Sequence, residues 1–236
     1  SIEVAEMVKY VDNAWHALKV DFANEIGDLC RALAIDSHAV MDVFCRDTKL
    51  NLSSCYLKPG FAFGGSCLPK DVRALTHKAR MMDLDLPVLN AIAPSNQMQI
   101  ETALRMITDL GRKKIGILGF SFKAGTDDLR ESPMVDVIER LLGKGYDLCV
   151  YDRNVNMARL IGANRDYLLN HIPHISSLMV ESVDEVLDHG QVIVVGSKAR
   201  EFEGLVERLK DDQILVDLVR VAPLTTQEGR YHGICW

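Results

Sequence analysis

The chain has 236 residues, 48% of them hydrophobic and 25% charged, and its formal net charge is −6. Those proportions belong to an ordinary globular protein, with room for one large domain or two small ones. The acidic balance and the lack of a Lys/Arg-rich tract argue against charge-driven binding to nucleic acid, and no run of eighteen apolar residues is present to cross a membrane.

Six cysteines, Cys30, Cys45, Cys55, Cys67, Cys149 and Cys235, are scattered without a Cys-x-x-Cys pair. This spacing reads as reduced thiols in a cytoplasmic protein, not as a disulfide framework or a zinc site. The first residue is Ser1 and a helical pattern follows almost at once, with no basic-then-apolar leader; the expectation is a chain cut from something longer.

Between residues 3 and 34, Val8, Val11, Trp15, Leu18, Phe22, Ile26, Leu29 and Leu33 recur at steps of three and four, which predicts one long helix. Its length, roughly 45–50 Å at 1.5 Å per residue, exceeds the need of one small domain. The helix is therefore expected to run through a dimer interface or between domains. Beside the apolar stripe stand Lys9, Asn13, His16 and Asn24, whose spacing puts them on one side of the helix. Spacing alone leaves a solvated face as the alternative. Asn is a poor mid-helix residue, however, and an amine, amides and an imidazole in a row suit a polyhydroxylated ligand.

A short helix is predicted near Ser37–Phe44, then an irregular stretch over 46–66 punctuated by Pro59, Gly60, Gly64 and Gly65. The motif Gly60-Phe61-Ala62-Phe63-Gly64-Gly65-Ser66-Cys67-Leu68-Pro69-Lys70-Asp71 follows. Its glycines let a ligand approach the backbone. Cys67 lies just before a helix, read over Asp71–Met82 with its first turn near Pro69, and a helix N-terminus stabilises a thiolate. The alternative for any one cysteine is a small buried hydrophobe, the reading given to Cys149. A further helix is expected over about Pro87–Leu110, kinked or split by Pro94.

From Gly111 the pattern alternates. Strands are predicted at Lys114–Phe120, Asp147–Asp152, Val192–Gly196 and Gln213–Asp217, with a helix opened by Ser132-Pro133 and running to Leu142. This implies a parallel sheet of βαβ units. The expected architecture is α/β: a helical domain over 1–110 carrying the long helix, then a Rossmann-like domain over 111–236. Gly116-Ile117-Leu118-Gly119 is not the GxGxxG dinucleotide fingerprint. The turn Phe122–Pro133 holds Lys123 and Arg130, which can meet phosphates at the carboxyl ends of the strands; a charged surface loop is the alternative.

The long-helix segment KYVDNAWHALKVDFANEIGDLC, the loop GFAFGGSCLPKD and the turn SFKAGTDDLRESP together resemble the UDP-glucose/GDP-mannose dehydrogenase family, over essentially the whole chain. The resemblance implies NAD-dependent oxidation of a sugar C6 alcohol to a carboxylate through a cysteine thiohemiacetal and thioester. It implies Cys67 as nucleophile, Lys9 and Asn13 at the reacting oxygen and a catalytic water, and Asp71 in their support. His16, Asn24, Tyr56, Lys58, Phe61, Gly64 and Lys123 match sugar-nucleotide contacts, and Lys70 and Arg130 match NAD contacts. At Lys58 relatives can carry Arg, so bidentate phosphate binding is lost there.

Within that family, Trp15-His16 after Asn13, Ala124, and the Gly-Ile-Cys-Trp ending resemble the members that act on a guanosine-diphosphate sugar, and this resemblance implies a part in alginate-type exopolysaccharide synthesis. A homodimer through the long helix is implied, as is an N-terminal NAD domain absent from this chain. Three alternatives stand beside this reading: a UDP-glucose substrate, a non-catalytic dimerisation and nucleotide-sugar-binding module, and a cysteine hydrolase pairing Cys67 with His77.

Overall fold

A computed structural model of the chain describes residues 2–32, 34–49, 56–121, 129–155, 170, 173–221 and 229–236. Two compact units emerge, Ser1–Gln99 with Cys235–Trp236, and Ile100–Ile234. The sequence reading drew the division after residue 110; these units divide within a helix, and the last two residues belong with the first.

In the first unit, α1 spans Ile2–Ala32, close to the periodic segment, but the face it buries is not the apolar stripe. Val8, Val11, Trp15 and Phe22 stay exposed, while Ala14, Ala17, Ala23, Asn24 and Cys30 are buried, together with Lys19 and Asp21. The reason is close packing: a Cβ on Gly27 would lie 2.7 Å from Cys235 Cβ and 3.0 Å from Pro59 Cβ. Only small residues admit neighbours that near.

Helix α2 spans Ser37–Phe44, capped by Asp36, whose Oδ1 accepts from the His38 amide at 2.9 Å. Helix α3 spans Leu68–Met81, so it begins three residues before Asp71, with Pro69 in its first turn and Cys67 at the N-cap. Helix α4 spans Pro87–Asp109 without a break at Pro94. Pro94 and Asn90 are both exposed, so the carbonyl that proline leaves unbonded can be served by water. The apolar centre of this unit is Ala14, Ala17, Phe63, Val72 and Ile92, flanked by Leu18, Val20, Leu68, Leu75 and Leu89.

The second unit is a parallel five-stranded sheet in the order β2-β1-β3-β4-β5. Along the chain it runs β1 (Lys114–Leu118), α5 (Pro133–Gly143), β2 (Asp147–Tyr151), α6 (Ile175–Leu178), α7 (Val183–His189), β3 (Val192–Val195), α8 (Leu205–Arg208), β4 (Ile214–Asp217) and β5 (Tyr231–Gly233). Strand β5, Tyr231-His232-Gly233, was not predicted; it is short, lacks an apolar run, and forms by pairing with Leu215–Asp217. Ser132 precedes α5 but does not cap it: its hydroxyl donates to the buried Phe120 carbonyl at 2.6 Å. Asp152, past the end of β2, accepts from the Phe120 and Ser121 amides and from the Ser121 hydroxyl, each at 3.0 Å. Among the described residues no helix is long and apolar enough to cross a membrane.

Asp21 generates a pH prediction. It is 3% exposed, and neither carboxyl oxygen has a hydrogen-bond partner among the described residues. Burial, and then the charge of Glu25, push its pKa up from 3.8 to about 8. The unfolded chain releases this proton near its ordinary value while the folded chain keeps it. Stability is therefore full below about pH 4 and falls as pH rises to about 8, where the folded form also ionises. Asp21→Asn is expected to flatten that decline and to stabilise the unit at pH 9 by about 1–3 kcal/mol. Urea midpoints at pH 5 and pH 9 check it; an equal decline in both proteins refutes the assignment.

Candidate active site

The site is built around a carboxylate with no exposed surface. Asp71 lies in the first turn of α3 and is 0% exposed. Its Oδ2 accepts from Asn13 Nδ2 at 2.6 Å and lies 3.6 Å from Lys9 Nζ; its Oδ1 lies 3.6 Å from Lys70 Nζ. Lys9 and Asn13 are one turn apart on α1, so one acidic group joins two helices. Oδ1 has no hydrogen-bond partner among the described residues. Both lysines are more than half exposed, leaving their ammonium groups free to turn toward a ligand while the carboxylate stays fixed.

Cys67 is one turn before Asp71, and the Asp71 amide donates to the Cys67 carbonyl at 3.0 Å. Residues four apart on a helix share a face, so the thiol and the carboxylate cluster point to the same side of α3. Cys67 is exposed, whereas Cys30, Cys149 and Cys235 are buried and Cys45 is half-buried. Its sulfur lies 3.9 Å from the Ser66 hydroxyl. The turn that brings the chain to it needs Gly65, which has φ +84°.

Ahead of Cys67 the segment Gly60–Phe63 is clamped by side-chain amides. The Gly60 amide donates to Asn24 Oδ1 at 3.0 Å, and Gln99 Nε2 donates to the Gly60 carbonyl at 2.7 Å. Asn96 takes both sides of Phe63, accepting from its amide at 2.8 Å and donating to its carbonyl at 2.9 Å. Asn24 Nδ2 is buried without a partner among the described residues. Phe61 and Gly64 are half-buried.

The remaining predicted positions are spread more widely. His16 and Tyr56 rings lie 5.1 Å apart, and Tyr56 holds φ +64°, uncommon for a residue with a Cβ. Lys58 pairs with Asp42 at the surface. Arg130 is half-buried in the second unit. Lys123 lies outside the described residues.

The sequence reading gave no site role to Asn96, Gln99, Lys19 or Cys235. Lys19 is 9% exposed, with its ammonium 5.9 Å from the Trp15 ring and 5.7 Å from the Tyr56 ring. Asn96 and Gln99 carried one signal, a pair of amides three apart inside an otherwise helix-forming segment.

The chain is similar to known proteins along nearly its whole length. Residues 3–98 match the UDP-glucose/GDP-mannose dehydrogenase family, central domain, and residues 116–223 match its UDP binding domain. The chain is 52% identical over its whole length to GDP-mannose 6-dehydrogenase of Pseudomonas aeruginosa and 48% identical to that of Azotobacter vinelandii, covering 54% of each. It thus spans about half the length of the curated relatives it matches. Among solved structures, a ternary complex of GDP-mannose dehydrogenase from P. aeruginosa superposes with TM-score 0.74 at 52% identity, over all of this chain and 54% of that one. A UDP-glucose dehydrogenase from Pyrobaculum islandicum gives TM-score 0.82 at 30% identity, over 98% of this chain and 51% of that one. With both domains matched in order along the chain, the protein belongs to the UDP-glucose/GDP-mannose dehydrogenase family.

Proposed function

We propose that this chain is the substrate-binding, thiol-bearing part of an NAD-dependent GDP-mannose 6-dehydrogenase, a cytoplasmic enzyme that supplies the sugar acid for an alginate-type exopolysaccharide. The carrying observation is the buried Asp71, with Asn13 and Lys9 on it, one helical turn from the exposed thiol of Cys67.

In this reading the Cys67 thiolate adds to the C6 aldehyde left by the first oxidation, and the adduct stays covalently bound for the second. Lys9 and the Asn13 amide stabilise the oxyanion at C6, and the resulting thioester is hydrolysed by water. Asp71 keeps both helpers oriented. His16, Asn24, Tyr56, Lys58, Phe61, Gly64 and Lys123 are assigned to the sugar nucleotide, and Asn24 has an amide nitrogen to offer.

NAD is the hydride acceptor that the family likeness implies. The residues at β1 do not fit it: Gly116-Ile117-Leu118-Gly119 is not the glycine fingerprint that brings a pyrophosphate to a helix N-terminus. Lys70 and Arg130 are assigned only to its phosphates. The exposed Val8, Val11, Trp15 and Phe22 of α1 are assigned to a homodimer interface, since exposed apolar surface of this kind meets a partner.

A uridine substrate is the second reading, favoured by the UDP binding description of residues 116–223. Against it, the UDP-glucose 6-dehydrogenase of Haloferax volcanii is 36% identical over only 64% of this chain. Competition between GDP and UDP for the site separates the two.

Iodoacetamide at neutral pH is expected to modify Cys67 before Cys45, Cys30, Cys149 or Cys235, with GDP-mannose slowing the reaction. Burial pushes Cys149 up to about 11 and Cys235 up to about 12, so neither competes. Faster modification of Cys30 or Cys149 in the folded protein overturns the role given to Cys67.

On its own the chain is expected to sediment as a dimer and to yield no NADH from GDP-mannose and NAD. Joined to an NAD-binding domain from a relative, it is expected to form the acid. There Cys67→Ala abolishes acid formation, and Lys9→Ala lowers kcat by about 100-fold or more with little change in KM. A monomer, steady NADH from the chain alone, or acid at the full rate from Cys67→Ala each refutes its part.

A further inference from the structure

Cys235 stands next to last in the chain, is 0% exposed, and packs in the first unit although the strand before it belongs to the second. Ser37 Oγ donates to its carbonyl at 2.5 Å, and its Cβ fills the space that a side chain on Gly27 would need. Its sulfur accepts from Gln99 Nε2 at 3.1 Å and donates to the Gly60 carbonyl at 3.6 Å. Gln99 donates to the same carbonyl, and Asn24 takes the Gly60 amide. Both backbone groups of Gly60 are thus gripped, by three side chains from α1, α4 and the chain terminus.

We propose that Cys235 is a positioning residue: its thiol, as a hydrogen-bond donor coupled to Gln99, holds the Gly60–Phe63 segment at the angle from which Phe61, Gly64 and then Cys67 meet the sugar nucleotide. This rests on the substrate assignment above for its functional consequence, though not for the geometry. Burial keeps Cys235 protonated, pushed up to about 12, and only the thiol, not the thiolate, can donate. An amide has two N–H donors and a carbonyl two acceptor sites, so the Gln99–Cys235–Gly60 triangle can use both N–H groups of Gln99, the thiol S–H and both acceptor sites of the Gly60 carbonyl. The neighbouring clamp on Phe63 comes from Asn96, one turn before Gln99 on α4. Gly60 and Phe63 are therefore fixed from one helix, and Cys235 supplies the remaining donor to Gly60. Trp236 beyond it meets the His38 ring edge-on at 5.0 Å, which seats the terminus.

The test uses this chain with two readouts: hydrogen exchange at the Gly60 and Phe63 amides, and affinity for GDP-mannose. Cys235→Ala is expected to speed exchange at Gly60 and weaken GDP-mannose by about five- to tenfold, the effect of one lost hydrogen bond. Cys235→Ser, which keeps a donor and an acceptor, is expected to restore most of both. Gln99→Met is expected to behave like Cys235→Ala, and the double variant to fall short of the product of the two, because both act on one carbonyl. Wild-type exchange in Cys235→Ala overturns the proposal, and so does a Ser variant as impaired as Ala. If Cys235→Ala does not fold, Gln99→Met and Cys235→Ser decide by the same criteria. If the wild-type chain binds no GDP-mannose, the substrate assignment fails, while exchange at Gly60 still decides the positioning role.

Discussion

A carboxylate removed from water must find donors or cations, because its desolvation costs several kcal/mol otherwise. Asp71 is such a group, and it finds Asn13, Lys9 and Lys70. That requirement fixes the register of α1 against α3: a slip of one residue on either helix would turn the amide away and leave the acid unpaired. Cys67 inherits its place from the same contact, since it is the N-cap of the helix whose first turn Asp71 anchors. The thiol itself needs no buried partner and stays at the surface.

The first unit is held together in an unusual division of labour. Its long helix turns small and polar residues inward, so apolar area contributes less there than in the sheet unit, whose strands β1 and β3 are almost wholly buried. Cohesion around Gly60–Phe63 comes instead from amide side chains that complete backbone groups lacking a strand partner. Such a loop has no ladder to set its register. Its geometry depends on Asn24, Asn96, Gln99 and Cys235 acting together, and buried polar groups of this kind are unforgiving of single losses. The exposed Val8, Val11, Trp15 and Phe22 are the converse of this arrangement: the apolar residues that the inner face cannot accommodate are turned outward.

Much of this architecture was legible in the sequence. Runs such as Ile115–Leu118 and Val192–Val195 announce buried parallel strands, and the three-to-four spacing announces α1. The Gly60–Asp71 motif gave the thiol at a helix start and the acid one turn on. The facing of α1 was not legible, because a hydrophobic stripe marks a face that avoids water without saying what covers it. Nor was β5, whose Tyr231-His232-Gly233 forms only because Leu215–Asp217 offers an edge. Ser132 looked like a cap because Pro133 follows it; a buried carbonyl twelve residues back, at Phe120, claims its hydroxyl instead. Gln99 and Cys235 are 136 residues apart, and no local pattern announces a contact at that range.

The cysteines show how environment, not residue type, sets chemistry. Cys149, within β2, is buried among apolar side chains and pushed up to about 11, with Glu185 and Asp147 adding to the effect of burial; it is a packing residue. Cys235 is buried too, yet it touches an amide donor and a carbonyl acceptor, so its S–H can be used as a hydrogen-bonding group while remaining chemically inert. Cys67 has neither fate. It is exposed, precedes a fourteen-residue helix, and shares a face with a carboxylate that already holds two ammonium groups nearby. Exposure gives it access, which the buried thiols lack. Of the thiols described, it alone is exposed and stands at the N-terminus of a helix, so its sulfur is neither a packing group nor a buried hydrogen-bonding group.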